Sequence, residues 1–291
     1  MLTLKEVSLR KGKRTYLDEV SFTAEAGRIT AIVGTRSAGR TELVRIIMGL
    51  IAADEGTIEL EDFELDFGDR QNFGYLPAER GGYPNMRVLD QIVYLARLHG
   101  ITLGAAERNA LTLLGHLELA DRGYAPLKNL SGAEIARVDI AATLAADPDV
   151  VVIDDAFAGL DAASLRLVTS LLRAHASSGV PVILATDDWE AAQTFADDVI
   201  ILNQGKVTAS GSVDKLLGDP HYRVETTDTE AAASALTSRT GISDVTTAGR
   251  EAVSFRANDA RTAAAAVAEL KNVKNFESVR PTLAEQYKEA L

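Results

Sequence analysis

A chain of 291 residues has room for one large domain, or for one of ordinary size with a small companion. Hydrophobic residues make up 46% of it, enough to fill a core, and the absence of cysteine excludes disulfides and thiolate metal sites, which suits a reducing compartment. With 42 acidic against 30 basic residues and a net charge of -12, no nucleic-acid partner is expected, because backbone binding rests on clustered Lys and Arg.

The opening "MLTLKEVSLRKGKR" alternates polar and apolar residues like a strand and lacks the apolar run of a secretion signal. No later stretch approaches the roughly 18 uninterrupted apolar residues of a membrane span. A soluble, cytoplasmic chain is expected, with any membrane role reached through a partner. "GRITAIVG", Gly27 to Gly34, predicts a buried β-branched strand running into a glycine loop. "RTELVRIIMGLI" follows it, with Leu43, Ile46, Ile47 and Leu50 at helical spacing.

The loop between them, "VGTRSAGRTE" (Val33 to Glu42), has the spacing of a phosphate-binding loop, with Gly34, Gly39 and Thr41 in place and Arg40 where that pattern carries lysine. Glycines let backbone N–H groups curl around phosphate oxygens, the helix N-terminus adds a favourable dipole, and the Thr hydroxyl can ligate Mg2+. The alternative is a tight strand-to-helix turn that binds nothing.

"NLSGAEIARVDIAATLAADP" places Ser131 and Gly132 before an amphipathic helix carrying Ile135, Val138, Ala142 and Ala145. "DPDVVVIDDAFAGLD" then sets four β-branched residues, Val150 to Ile153, directly before Asp154 and Asp155. A parallel strand ending in an acidic pair can hold Mg2+ through one carboxylate and orient an attacking water through its neighbour.

Taken in order, these segments resemble the ATP-binding-cassette (ABC) ATPases, whose signature before the acidic strand is LSGGQ or a near variant. Further collinear matches are "LDEVSFTAEAGRITAIVG", "IIMGLIAADEGTIEL", "FGYLPAERGGYPNMRVLDQIVYLARLHG" and "FADDVIILNQGKVTASGS". The resemblance covers Met1 to about Asp219. It implies an α/β P-loop NTPase fold: a parallel-sheet core, an antiparallel β subdomain, and a helical subdomain over roughly Pro84 to Ala145.

It also implies an ATP site built from Gly34, Thr35, Arg36, Ser37, Ala38, Gly39, Arg40, Thr41 and Glu42, with Ser131 and Gly132 serving a partner's site. Thr41 and Asp154 stand as Mg2+ ligands and Asp161 lies in the "AGLD" loop. Two cassettes in this family sandwich two nucleotides, so the chain needs a second cassette as well as transmembrane permease subunits.

Several positions depart from the family. Arg40 replaces the lysine that contacts the β and γ phosphates; a guanidinium keeps the charge, but its planar fork is wider than an ammonium and cannot simply occupy the same cradle. Asp155 aligns with the glutamate that positions water and is one methylene shorter. Ala156 replaces the following proline. Asp187, in "VILATDDWEAA", aligns with the histidine that senses the γ-phosphate, which sets an anion facing an anion. The glutamine after "GYLP" is Ala78, with Glu79 beside it. The adenine-stacking aromatic aligns with Lys11, with Tyr16 as stand-in, and the second signature glycine is Ala133. The four histidines, His99, His116, His175 and His221, fall at other positions and read as surface or packing residues.

From His221 onward the pattern of strand, Ala-rich helix, two strands, helix, strand and terminal helix predicts a compact α+β module over 220–291. It is similar to the small C-terminal domain of bacterial export-type ABC ATPases, down to the ending "PTLAEQYKEAL". The resulting expectation is an ATP-binding subunit of a membrane exporter whose own hydrolytic site is degenerate, peripheral on the inner face of the membrane. The segment "ERGGYPNMRVLDQIVYLARLHG" is expected to meet the permease. The alternative is a catalytically silent nucleotide-binding or dimerisation module that regulates a partner.

Overall fold

Alternating apolar residues near the N-terminus form a hairpin of β1 (Leu2–Lys11) and β2 (Arg14–Ala24), reversing where Gly12 takes a φ of 62°. The computed structural model describes residues 1–66, 68–79, 81–155, 157, 160–218, 220–247, 249 and 251–287. It divides into two compact units, Met1–Val213 and Asp214–Tyr287. Asp219, where the change of character was expected, lies outside the described residues, as do Ala156 and the Ala158 and Gly159 of the "AGLD" loop.

In the first unit the hairpin continues into β3 (Ile29–Val33), α1 (Arg40–Ile47), β4 (Glu55–Leu60), β5 (Phe63–Glu64) and β6 (Phe73–Leu76). Three helices follow, α2 (Val88–Leu98), α3 (Leu103–His116) and α4 (Gly132–Leu144), and then β7 (Val150–Asp154), α5 (Ala162–Ser177), β8 (Val182–Thr186), α6 (Trp189–Phe195), β9 (Asp198–Asn203) and β10 (Lys206–Ser212). The strands form two sheets. One is antiparallel, in the order β2-β1-β4-β5; the other runs β10-β9-β3-β8-β7-β6 and is parallel except for its β9–β10 hairpin.

Every residue of β3, β7 and β8 is buried, the mark of strands covered on both faces. One core joins the two sheets through α1: Leu2, Leu4 and Val20 on one side, Leu43, Val44 and Ile47 of the helix, and Ile32, Val152 and Ile183 on the other. Among the described residues no helix is long and apolar enough to cross a membrane.

Two details of the helices differ from the periodic reading. Leu50 lies beyond the end of α1 and is 58% exposed, because the helix stops at Ile47 and Gly49 turns the chain with a φ of 70°. In α4 the buried residues are Ala136, Val138, Asp139, Ile140, Ala141 and Leu144, while Ile135 and Ala142 are half-buried. That helix packs on more than one side, so a single stripe does not describe it.

The second unit contains α7 (Val213–Leu217, its first residue belonging to unit one), β11 (His221–Thr226), α8 (Thr229–Thr237), β12 (Ile242–Thr247), β13 (Ala252–Ala257), α9 (Ala260–Ala268), β14 (Val273–Val279) and α10 (Leu283–Gln286). Its antiparallel sheet runs β12-β13-β11-β14. Tyr222 and Val224 of β11 and Val253 and Phe255 of β13 pack with Leu236 of α8 and Ala263 and Val267 of α9. The Tyr222 ring stacks on Phe255 and Phe276, with centroids 5.6 and 5.9 Å away.

Candidate functional site

Parallel pairing brings three strand ends to one edge. Val33 of β3 lies beside Thr186 of β8, and Asp154 of β7 lies beside Ala185 of β8. The glycine loop, the acidic pair and Asp187 therefore emerge next to one another, at the carboxyl ends where open α/β sheets take their ligands.

The loop holds its shape by close backbone approach. A Cβ at Gly34 would lie 2.2 Å from the Leu202 carbonyl oxygen, and one at Gly39, whose φ is 101°, would lie 2.5 Å from the Tyr16 carbonyl oxygen. The Ala38 N–H donates to the Thr35 carbonyl at 3.0 Å, and the Gly205 N–H donates to the Ala38 carbonyl at 2.9 Å. Gly34, Ala38, Gly39 and Arg40 are buried, Glu42 and Thr35 are half-buried, and Arg36, Ser37 and Thr41 are exposed.

Arg40, the first residue of α1, turns its guanidinium toward the neighbouring strand ends. Nη1 lies 3.6 Å from Asp155 Oδ1 and Nη2 lies 3.7 Å from Asp187 Oδ2. Arg36 Nε lies 3.6 Å from that same Asp187 oxygen. These are charge contacts and not hydrogen bonds: Arg40 Nε and Nη1 are buried and have no hydrogen-bond partner. Buried donors without acceptors are costly, and a phosphate, with several oxygens, fits them.

Asp155 takes a left-handed φ of 51°, a conformation Asp tolerates, and its N–H donates to the Ala185 carbonyl at 2.8 Å. Asp154 is 3% exposed; burial, and then the Asp155 charge, raise its carboxyl above the usual range, while Arg40 and Arg45 pull it down. A divalent cation would relieve that desolvated carboxylate, so Asp154 fits a metal-facing role, and Thr41, exposed in the first turn of α1, is the hydroxyl that the sequence paired with it.

The remaining expected positions lie elsewhere. Ser131 is spent on its own helix: its N–H and its hydroxyl each donate to Glu134 Oε2 at 2.8 Å, and its Oγ accepts from the Glu134 N–H at 3.3 Å. These bonds, with Arg122 Nε 2.9 Å away, hold the Glu134 carboxyl below its ordinary range. Gly132 and Ser131 are exposed, and a Cβ on Gly132 would meet nothing within 4 Å. Asp161 caps α5, accepting from the Ser164 N–H at 2.7 Å. Ala78 and Glu79 are exposed and Ala133 is half-buried.

Tyr16 lies beside the loop through its backbone, but cations engage its ring, Lys11 Nζ at 5.4 Å and the Arg14 guanidinium at 4.5 Å from the centroid. An adenine stacking there would compete with both. The histidines take no part in the strand-end cluster: His99 Nδ1 lies 2.8 Å from the Gln71 carbonyl, His116 is exposed, and His175 and His221 are half-buried.

Two features escaped sequence reasoning. Glu134 completes the cap of α4, and the S-x-x-E spacing of Ser131 and Glu134 is the signal that reveals it. Gln91, buried in α2, accepts from the Tyr83 N–H at 2.8 Å. It pins the turn above a cleft of about 470 Å3 lined by Tyr75, Leu95, Leu98, His99, Asp139 and Thr143 among others. Beside this cleft Tyr83 and Tyr94 meet edge to face at 5.9 Å, and Leu98 is 66% exposed.

A parallel sheet whose first strand feeds a glycine loop and helix, flanked by an acidic strand end, defines a P-loop nucleotide-binding domain. Residues 17–158 match the ABC transporter family. The chain is 31% identical over 235 residues to a methionine import ATP-binding protein of Rhodococcus jostii, covering 76% of this chain and 69% of that one. It is 27% identical over 220 residues to Nod factor export ATP-binding protein I of Ralstonia nicotianae, covering 75% and 68%. The fold also matches a dimeric bacterial ABC transporter cassette with a TM-score of 0.65 at 22% identity, over 74% of this chain and 99% of that one. The chain belongs to the ABC transporter family, as an ATP-binding subunit.

Proposed function

We propose that this subunit serves an exporter, that its own ATP site binds nucleotide but is impaired in hydrolysis, and that it works beside a second, active cassette. The observation that carries the reading is the buried Arg40 set between Asp155 and Asp187. In this arrangement Gly34, Thr35, Arg36, Ser37, Ala38, Gly39 and Arg40 hold the phosphates, Glu42 flanks them, and Thr41 and Asp154 hold Mg2+. When bound, Mg2+ neutralises phosphate charge. Asp155 is short for positioning a water and is already engaged by Arg40, and Asp187 offers a negative charge where hydrolysis needs a neutral or positive group.

The export assignment rests on the C-terminal module, because relatives of the cassette include both an import and an export protein. Dimerisation is supported by the dimeric cassette with the matching fold. The cleft beside Tyr83, Tyr94 and Leu98 offers aromatic and apolar surface to a permease helix, which would keep the subunit at the inner face of the membrane. A module that binds no nucleotide at all is disfavoured by the unsatisfied donors of Arg40.

The test is an assay of ATP binding and hydrolysis by the purified chain, with and without a co-purified partner. Binding with turnover well below about 1 per second is expected from the chain alone. Turnover at or above that rate would overturn the reading.

A further inference from the structure

Among the described residues Asp187 is the one carboxylate of the strand-end cluster that faces two arginines of the loop, Arg36 at 3.6 Å and Arg40 at 3.7 Å. Its backbone has little room to withdraw. It directly follows β8, whose Thr186 hydroxyl accepts from the Asp188 N–H at 3.1 Å, and Asp188 in turn caps α6 by accepting from the Ala191 N–H at 2.9 Å. A fixed negative charge thus sits against the cations of a phosphate loop, where an outside anion would otherwise sit. A second carboxylate, Asp155, approaches the same guanidinium from the adjoining strand end at 3.6 Å.

The two carboxylates nevertheless do not satisfy the Arg40 donors. Arg40 Nε and Nη1 have no hydrogen-bond partner although the side chain is only 7% exposed, and both carboxylates stop beyond hydrogen-bonding distance. The loop therefore has donors to spare for phosphate, with its outer side already occupied by negative charge.

We propose that Asp187 is a built-in substitute for a terminal phosphate, so that the site takes a nucleoside diphosphate in preference to a triphosphate. This rests on the reading of the chain as a nucleotide-binding subunit and specifies which nucleotide its own site keeps. A diphosphate meets the glycine loop and the spare Arg40 donors. A triphosphate must bring further negative charge toward Asp187 and Asp155, or displace Asp187 from two arginines.

The full-length chain is titrated with ADP and with ATP, each with and without Mg2+, by displacement of a fluorescent nucleotide. The same titrations are run on Asp187→Asn and Asp187→Ser. The wild type is expected to bind ADP at least as tightly as ATP. Either variant should gain about tenfold in ATP affinity, while ADP affinity moves by less than about threefold. A wild type that prefers ATP, or a preference unchanged by both variants, would overturn the proposal and leave the nucleotide-binding reading standing. Failure of every form to bind either nucleotide would remove both. Asp187 is 42% exposed, so neither variant should impair folding, and the wild-type preference is decisive by itself.

Discussion

Replacing Arg40 by methionine removes a buried charge while keeping the bulk of its stem, and so separates a structural role from a binding one. Its two ion pairs, at 3.6 and 3.7 Å, are each worth about 1 kcal/mol in bulk water and about 4 kcal/mol at an effective dielectric near 20. Asp155 and Asp187 are 37% and 42% exposed, which places the pairs near the solvent-screened end, at about 0.2–1 kcal/mol each. Against that loss stand two buried donors without partners, Nε and Nη1, whose desolvation costs about 1–3 kcal/mol and disappears with the guanidinium.

The net change in stability should therefore stay within about 2 kcal/mol, a shift of no more than about 8 °C for a unit of this size. The only tryptophan, Trp189, is 7% exposed in α6, so its emission follows the unfolding of Met1–Val213 without the second unit. Nucleotide binding should respond differently. Hydrogen bonds to charged groups are worth about 1.5–3 kcal/mol, which predicts a Kd raised about 10- to 150-fold in a fluorescence titration. A large fall in the Trp189 transition with an unchanged Kd would refute the reasoning and make Arg40 a structural ion alone.

If Arg40, Asp155 and Asp187 are the main lesions in hydrolysis, Arg40→Lys, Asp155→Glu and Asp187→His together should raise turnover by more than the three single changes combined. Additive or absent gains in a phosphate-release assay would count against that. Ser131→Ala should cost about 1 kcal/mol by removing the cap of α4 and, in a mixed dimer, lower the partner's hydrolysis more than nucleotide retention by this chain; equal effects on both sites would contradict the assignment. Because hydrogen bonds from Ser131 lower the Glu134 pKa, its contribution should be present above the unfolded carboxyl pKa and fade as pH falls through the lower folded value. The difference in thermal midpoint between wild type and Glu134→Gln should shrink from pH 7 to pH 3, and a constant difference would exclude the cap as its source.

The sequence by itself determined much of the local structure and named the segments that the strand ends bring together. The β-branched runs at Ile29–Val33 and Val150–Asp154, the glycine spacing before Arg40 and the strand-helix alternation after His221 each encode a local preference that the fold keeps. What Arg40, Asp155 and Asp187 do to one another was not local information. They come from three separate segments and meet only because β3, β8 and β7 pair in parallel with their carboxyl ends in register.

The sequence could set an arginine in place of a lysine and an aspartate in place of a histidine, and each substitution alone reads as damage. Tertiary structure decided that the two substitutions face each other as opposite charges, with Arg36 at the same Asp187 oxygen, because interaction energy depends on separation in space and not along the chain. The same holds for Tyr16. Its aromatic ring was visible in the sequence, but the β1–β2 hairpin brings Lys11 and Arg14 against it, and hairpin pairing rather than residue type decides what that ring can still bind.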